Sequence, residues 1–201
     1  MKQTLERMRK QGFEVVELDT ARQAKEYLLA NIPSSASVGV AGTVSVRETG
    51  VLPALIEKGC VVYSHWDVKP EDAPATRQKA HRADVYLTSA NALSKHGGLV
   101  LIDGTGNRVA AVAHGPGQVY FVVSHSKWVD GGYGAAVARI KKVACPLNAR
   151  RLRLHTPCGN TGVCDPGACG EDCMCRETLV LDRVPRGRKM TMLFIREKLG
   201  Y

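Results

Sequence analysis

Apolar residues come in short runs along this chain, and the segments between them carry a helical period. A charged, helix-compatible stretch from Thr4 to Lys10 precedes Phe13 to Leu18 (FEVVEL), which predicts a strand. Thr20 to Ala30 predicts a helix: Thr20 is placed to cap it, and Ala21, Ala24, Leu28 and Leu29 fall roughly on one face. Pro33-Ser34-Ser35 breaks it, and Ser37 to Val40 predicts a short buried strand. After the turn Ala41-Gly42-Thr43, Val46 to Lys58 reads as a helix, with Pro53 as a kink or a restart. Cys60 to Ser64 and Asp84 to Thr88 are further strands, with a helix over Ala75 to Arg82 between them. Leu99 to Asp103, Val109 to Ala113 and Val119 to Val123 are strand candidates in close succession. Gly131 to Lys142 is a Gly/Ala-rich helix, and Thr178 to Leu181 and Met190 to Ile195 are the last strands.

Strands alternating with helices predict an α/β fold with a largely parallel sheet, and the crowding over 84–123 adds antiparallel pairs. Ligands in such sheets bind beyond the carboxyl ends of the strands. The loops at 41–45, 89–94 and 103–108 follow strand candidates and are rich in small and polar residues, so they are the candidate sites. The whole of 1–201 is expected to form one domain, with 155–176 as a cysteine-rich insert before the last strands.

Composition narrows the partners. Hydrophobic residues make up 44% and charged residues 23%, a globular balance. No run approaches the ~18 apolar residues of a membrane span, and the start MKQTLERMRKQG lacks the apolar stretch of a secretory signal. A cytoplasmic chain with reduced thiols is therefore expected. The net charge is +9, but it is spread along the sequence, and no nucleic-acid recognition motif accompanies it. An anionic small molecule is the expected partner, rather than nucleic acid or a membrane. Neither Gly-x-Gly-x-x-Gly nor the P-loop appears, which counts against NAD and ATP.

The densest chemical signal is H-x2-C-x5-C-x4-C-x3-C-x-C, formed by His155, Cys158, Cys164, Cys169, Cys173 and Cys175. Residues 155–175 hold five of the seven cysteines and almost no core-forming residues, so something other than a core must order the segment. A bound metal or cluster is the leading reading, with Cys158, Cys164, Cys173 and Cys175 as ligands and Cys169 to spare. Disulfides and free thiols are the alternatives, and the spacing does not separate zinc from an iron–sulfur cluster. Cys60 and Cys145 lie in or beside apolar runs and read as core cysteines.

Two loops have both a plain and a functional reading. Val40 to Ser45 leaves a strand and opens a helix; Glu48, three residues past Ser45, fits a capping box, and the helix start favours anions. Asp103 to Val109 reads first as a hairpin turn with Gly and Asn at positive φ. Its functional reading is a polar rim with Asp103 as acid, base or metal ligand. On that reading Gly42, Thr43, Ser45, Ser89, Asn91, Asp103, Gly104, Gly106 and Asn107 surround one pocket. The histidines at 65, 81, 96, 114 and 125 are dispersed, and no Ser–His–Asp triad can be built.

The block Ser89-Ala90-Asn91-Ala92-Leu93, then Gly98, Asp103 to Ala110 and Gly115-Pro116, resembles the signature of the LUD-domain family, which includes a lactate utilisation protein. Ala41 to Gly50 is similar to that family's first Gly-rich loop, and Ser124 to Val129 to its Gly-x-Asn-Lys-Ile-Val. Pro146 to Ala149 and the tail from Thr156-Pro157-Cys158 to Cys175-Arg176 look like the branch with C-terminal cysteines. The resemblance implies a fold like the CoA-transferase and ribose-phosphate-isomerase group, with a mainly parallel sheet flanked by helices. It implies a component of lactate or organic-acid oxidation working beside iron–sulfur oxidoreductase proteins. The residues alone leave two further readings: an isomerase or transferase on a phosphorylated or carboxylated metabolite, and a non-catalytic metal-binding sensor or assembly protein.

Overall fold

The computed structural model describes residues 1–201. Strands β1 (Glu14–Leu18), β2 (Ser37–Val40), β3 (Val61–Ser64) and β4 (Val85–Thr88) alternate with helices α1 (Lys2–Lys10), α2 (Ala21–Asn31), α3 (Val44–Glu48), α4 (Val51–Glu57) and α5 (Ala73–His81). Then follow β5 (Ala92–Ser94), β6 (Leu99–Asp103), α6 (Asn107–His114), β7 (Gln118–Ser124), β8 (Trp128–Val129), α7 (Tyr133–Arg139), α8 (Cys145–Leu152), α9 (Pro157–Thr161), β9 (Glu177–Leu181) and β10 (Lys189–Ile195).

Six strands form a parallel sheet in the order β1-β10-β7-β4-β2-β3. The last strand, β10, is thus threaded between β1 and β7, and the sheet cannot close until the chain has nearly finished. Both faces of the sheet are buried, which explains the near-continuous apolar runs. Alternate residues serve opposite faces: Val119, Phe121 and Val123 of β7 join Leu5, Met8 and Tyr86, while Tyr120 and Val122 join Leu28, Leu55 and Leu87. Helices α2, α3 and α4 cover the second face; α1, α5 and α6 cover the first.

A smaller, four-stranded sheet in the order β8-β5-β6-β9 lies over the first face. Its β5–β6 and β6–β9 pairs are the antiparallel ones. Leu93, Leu99 and Leu101 point to the large sheet's core, and Ala92, Val100 and Ile102 pack on Ala136, Ile140, Ala144 and Ala149 beyond it.

Four local expectations are corrected. Val109 to Ala113 is not a strand but the body of α6, buried on one side through Ala111 and Val112. A short apolar run carries too little period to separate helix from strand, and two alanines tip it to helix. Consequently Asp103 to Val109 is not a hairpin: β6 passes through Gly106, at φ +77°, into α6. The helix over 46–58 is two helices that part at Gly50, at φ +65°, so the restart lies ahead of Pro53. The helix expected over Gly131 to Lys142 starts at Tyr133 and does not stop at Lys142: α7 widens into a π turn over Ile140–Ala144 and runs on through Pro146 as α8 to Leu152. The wider turn accommodates a residue that has no N–H and a bulky ring.

No helix is long and apolar enough to cross a membrane. Phe121 is fully buried between the sheet and the helices, whereas Ile56 is 59% exposed. Phe121→Ala should therefore lower stability by about 3–5 kcal/mol, and Ile56→Ala by no more than about 0.5 kcal/mol, in urea unfolding.

Candidate active site

The carboxyl ends of β2, β4, β6 and β7 all open on one side of the large sheet, where a cavity of about 460 Å³ lies. Gly42, Thr43 and Ser45 reach it from the turn after β2 and the start of α3. Ser89 and Asn91 reach it from the link between β4 and β5, and Asp103, Gly104 and Asn107 from the link between β6 and α6. Gly106 stands back from the cavity: a Cβ there would lie 2.6 Å from the Glu177 carboxylate. Gly42 is required by close approach, since a Cβ would lie 2.5 Å from the Trp66 indole.

Asp103 is largely engaged by backbone. Its carboxylate accepts from the amides of Gly104 at 2.9 Å, Arg108 at 3.0 Å and Val109 at 3.2 Å, and so anchors the start of α6. Asn91 holds the next strand: its Oδ1 accepts from the Ile102 amide and from Arg108 Nη2. Burial pulls the Arg108 and Arg139 guanidinium pKa values below their ordinary value. Arg139 donates to the carbonyls of Asn91 and Ser126, pinning the loops on both sides of the cavity.

The group at the floor of the cavity is Lys127, which sequence reasoning did not single out as a site residue. It follows β7 on a single 3-10 turn and is 3% exposed. Its Nζ donates to Ser45 Oγ at 2.7 Å, Ser89 Oγ at 2.9 Å and the Ala90 carbonyl at 3.2 Å. No carboxylate is among those partners. Burial, followed by the charges of Arg139 and Arg108, brings the amine down to about 7, against a smaller opposing pull from Glu48. A lysine in the polar turn Ser124-His125-Ser126, straight after the seven-residue apolar strand β7 near the sheet's centre, was the available signal.

The expected capping box is absent. Ser45 Oγ is turned to Lys127 and to the Leu199 carbonyl, and Glu48 accepts instead from the Gly200 amide at 2.6 Å. Residues 199–201 thereby form one wall, and a Cβ on Gly200, at φ +58°, would lie 2.4 Å from Ser45 Oγ. Five cations border the cavity, Arg77, Arg108, Lys127, Arg151 and Arg176, against Asp103, Glu171 and Asp172. Arg151 stacks on Trp66, 4.2 Å from the ring centre, and hydrogen-bonds Asn148 and the Tyr201 hydroxyl. His65 also borders the cavity; burial, then the charge of Arg77, lowers its pKa and keeps it neutral at pH 7.

A second cavity of about 240 Å³ adjoins the first. Cys158, Cys164, Cys169, Cys173 and Cys175 all line it, and Cys173 and Met174 border both cavities. Cys145, read as a core cysteine, is indeed buried, but its sulfur lies 3.3 Å from that of Cys175. The Cys145 thiol and then the Lys141 charge bring Cys175 down to about 6, and Cys145 is raised in turn. All seven cysteines are free thiols, and no three His, Cys, Asp or Glu side chains are gathered tightly enough for a single ion. His155 is engaged through its amide, which donates to Asp172. Cys60 points its thiol at the Pro33 carbonyl, away from both cavities.

The description "LUD domain" fits a family model matching residues 1–195. The chain belongs to the LUD domain family. A DUF162 family protein from Deinococcus radiodurans is similar in structure, with TM-score 0.54 over 96% of this chain and 94% of that one, at 15% identity. That likeness concerns the fold. No curated protein matches the chain. In this LUD domain the strand-end loops named by the sequence do converge, around an amine that the sequence reading passed over.

The Lys127 amine makes stability depend on pH. Between about 7 and 10.5 the unfolded chain holds a proton on Lys127 that the folded chain has released. Folding stability should therefore rise with pH across that window and level off below it, where both states are protonated. Urea unfolding at stepped pH should show this rise in the wild type and a smaller one in Lys127→Met.

Proposed function

We propose that this LUD-domain chain is an enzyme that binds a small anionic metabolite, carboxylated or phosphorylated, and moves a proton on it with the Lys127 amine as base. The observation that carries this reading is a buried amine surrounded only by two hydroxyls and a carbonyl oxygen. A lysine buried for structural reasons is met by a carboxylate, because an unpaired interior charge is strongly destabilising. An amine near neutrality is instead suited to general-base work at physiological pH. The neutral amine has two N–H groups and one lone pair, so it makes two of the three contacts and turns the lone pair to the substrate; the ammonium formed by taking the proton then donates to Ser45, Ser89 and the Ala90 carbonyl.

The cationic border supplies the binding half. Arg77 borders the cavity, and its Nε is buried without a hydrogen-bond partner. Arg151 and Arg176 flank the same space, and guanidinium groups suit carboxylate and phosphate alike. Asp103, neutral His65, Glu171 and Asp172 are further acid–base groups bordering the cavity. A cytoplasmic setting is part of this reading, since seven free thiols call for a reducing compartment.

A second reading keeps the cavity and makes the chain a component of lactate or organic-acid oxidation beside iron–sulfur partner proteins. What favours it is the shared wall of Cys173 and Met174 between the anion cavity and the thiol cavity.

The test is ligand stabilisation followed by isotope exchange. Small 2-hydroxy and 2-oxo acids and sugar phosphates should include a compound that raises the melting temperature, and Arg151→Met should weaken it at least about tenfold. That compound should take up solvent deuterium in the presence of wild-type protein. Lys127→Met should lower this exchange by about 10²–10⁴-fold while still binding the compound. Exchange that survives Lys127→Met overturns the assignment of the base, and the absence of any stabilising anion overturns the reading as a whole.

A further inference from the structure

We infer that the cavity lined by cysteines is the binding site of an iron–sulfur cluster, held by Cys158, Cys164, Cys173 and Cys175. The argument starts from packing. Protein interiors are filled to crystal-like density, and voids larger than a water molecule are few. Here a partly open cleft of about 240 Å³ lies in a segment with little core of its own, and soft sulfur donors line it from α9, from the turn that follows and from the approach to β9. Those donors come from positions as far apart as Cys158 and Cys175, so the chain wraps the space instead of collapsing into it.

The lack of a tight group of ligands bears on the occupant. A zinc ion with Zn–S near 2.3 Å would draw four sulfurs to within about 4 Å of one another. No three ligand side chains are gathered in that way. In a polynuclear cluster each thiolate binds a different iron, so the thiolates stand apart around a body that fills the middle. A cavity of this volume lined by five cysteines has room for such a body. Lys141, on the π turn, borders the same cavity and places a cation beside what is an anionic assembly of thiolates, iron and sulfide.

The surplus thiols also have places. Cys145, 3.3 Å from Cys175 and buried behind it, is positioned to hydrogen-bond a ligand sulfur from outside the cavity. Cys169 lines the same cavity beside Cys173, and with five cysteines for four positions it is taken as the spare donor because it lies in the glycine-flanked turn of the insert. The cluster would share the wall of Cys173 and Met174 with the anion cavity, next to the bound metabolite. This inference does not depend on Lys127 acting as a base.

The full chain, purified without oxygen and reconstituted with iron and sulfide, tests it. The expected result is a brown protein with visible charge-transfer absorption and bound iron and sulfide. Cys158→Ser, Cys164→Ser, Cys173→Ser and Cys175→Ser should each abolish or sharply lower bound iron, whereas Cys60→Ser and Cys169→Ser should retain it. Cys145→Ser should weaken iron retention by about 10–100-fold. A readout without variants guards against misfolding: in the reconstituted wild type, alkylation followed by mass spectrometry should label Cys169 and spare the four ligands. A colourless protein, one that takes up zinc but no iron, or one whose four ligand thiols label as fast as Cys169, overturns the assignment.

Discussion

An amine removed from water has to be surrounded by polar groups that the fold can bring to it, and in this protein four separate stretches of chain do so at Lys127. Ser45 comes from the start of α3, Ser89 and Ala90 from the end of β4, Lys127 itself from the end of β7, and Leu199–Gly200 close over Ser45. Each stretch leaves the same edge of one parallel sheet. The parallel arrangement is what makes this possible: every strand delivers its carboxyl end, and the loop that follows, to the same side. If β10 did not lie between β1 and β7, the residues that follow it could not reach Ser45.

Side chains around the amine divide into those that shape the cavity and those free to act within it. Asp103 and Asn91 shape it, because their oxygens are bonded to backbone amides and to Arg108. Arg139 does the same by tying the loop at Asn91 to the loop at Ser126. Lys127, His65 and Arg77 retain chemical freedom: one amine brought down to about 7, one neutral imidazole, and one guanidinium nitrogen without a partner. Such a division is usual where a rigid scaffold supports a few tuned groups.

The segment between α8 and β9 obeys a different constraint. It contributes Cys158 to the small core on the outer face of the second sheet, with Met174 and Cys175 packed against it. Its order comes from local turns, such as Asp165 bonding the amides of Gly167 and Ala168, and from Asp172 holding the amide of His155. The π turn at 140–144 carries Lys141 to one cavity and leads into Cys145 beside the other. Helix α7–α8 is therefore the common wall of the two spaces, and its irregular turn sits where they meet.

By itself the sequence determined the strands that are buried on both faces, because runs such as VYFVV and MTMLFI have no other comfortable place than the middle of a parallel sheet. It also determined that the loops after β2 and β4 would be polar, small and gathered at one edge, since parallel strands leave them no alternative; the loop after β6 joins them from the second, antiparallel sheet. Only the tertiary structure decided which residue those loops surround. Lys127 looks like any surface lysine in a polar turn, and its burial depends on a tail some seventy residues later in the chain, which no local period reports. The same holds for Cys145, an apolar-run cysteine that lies beside Cys175 through the packing of α8, and for Gly200, whose need to be a glycine arises from Ser45 across the fold. Alternation and period record whether a side chain is buried, but not against what, and at this site the identity of the neighbour sets the chemistry.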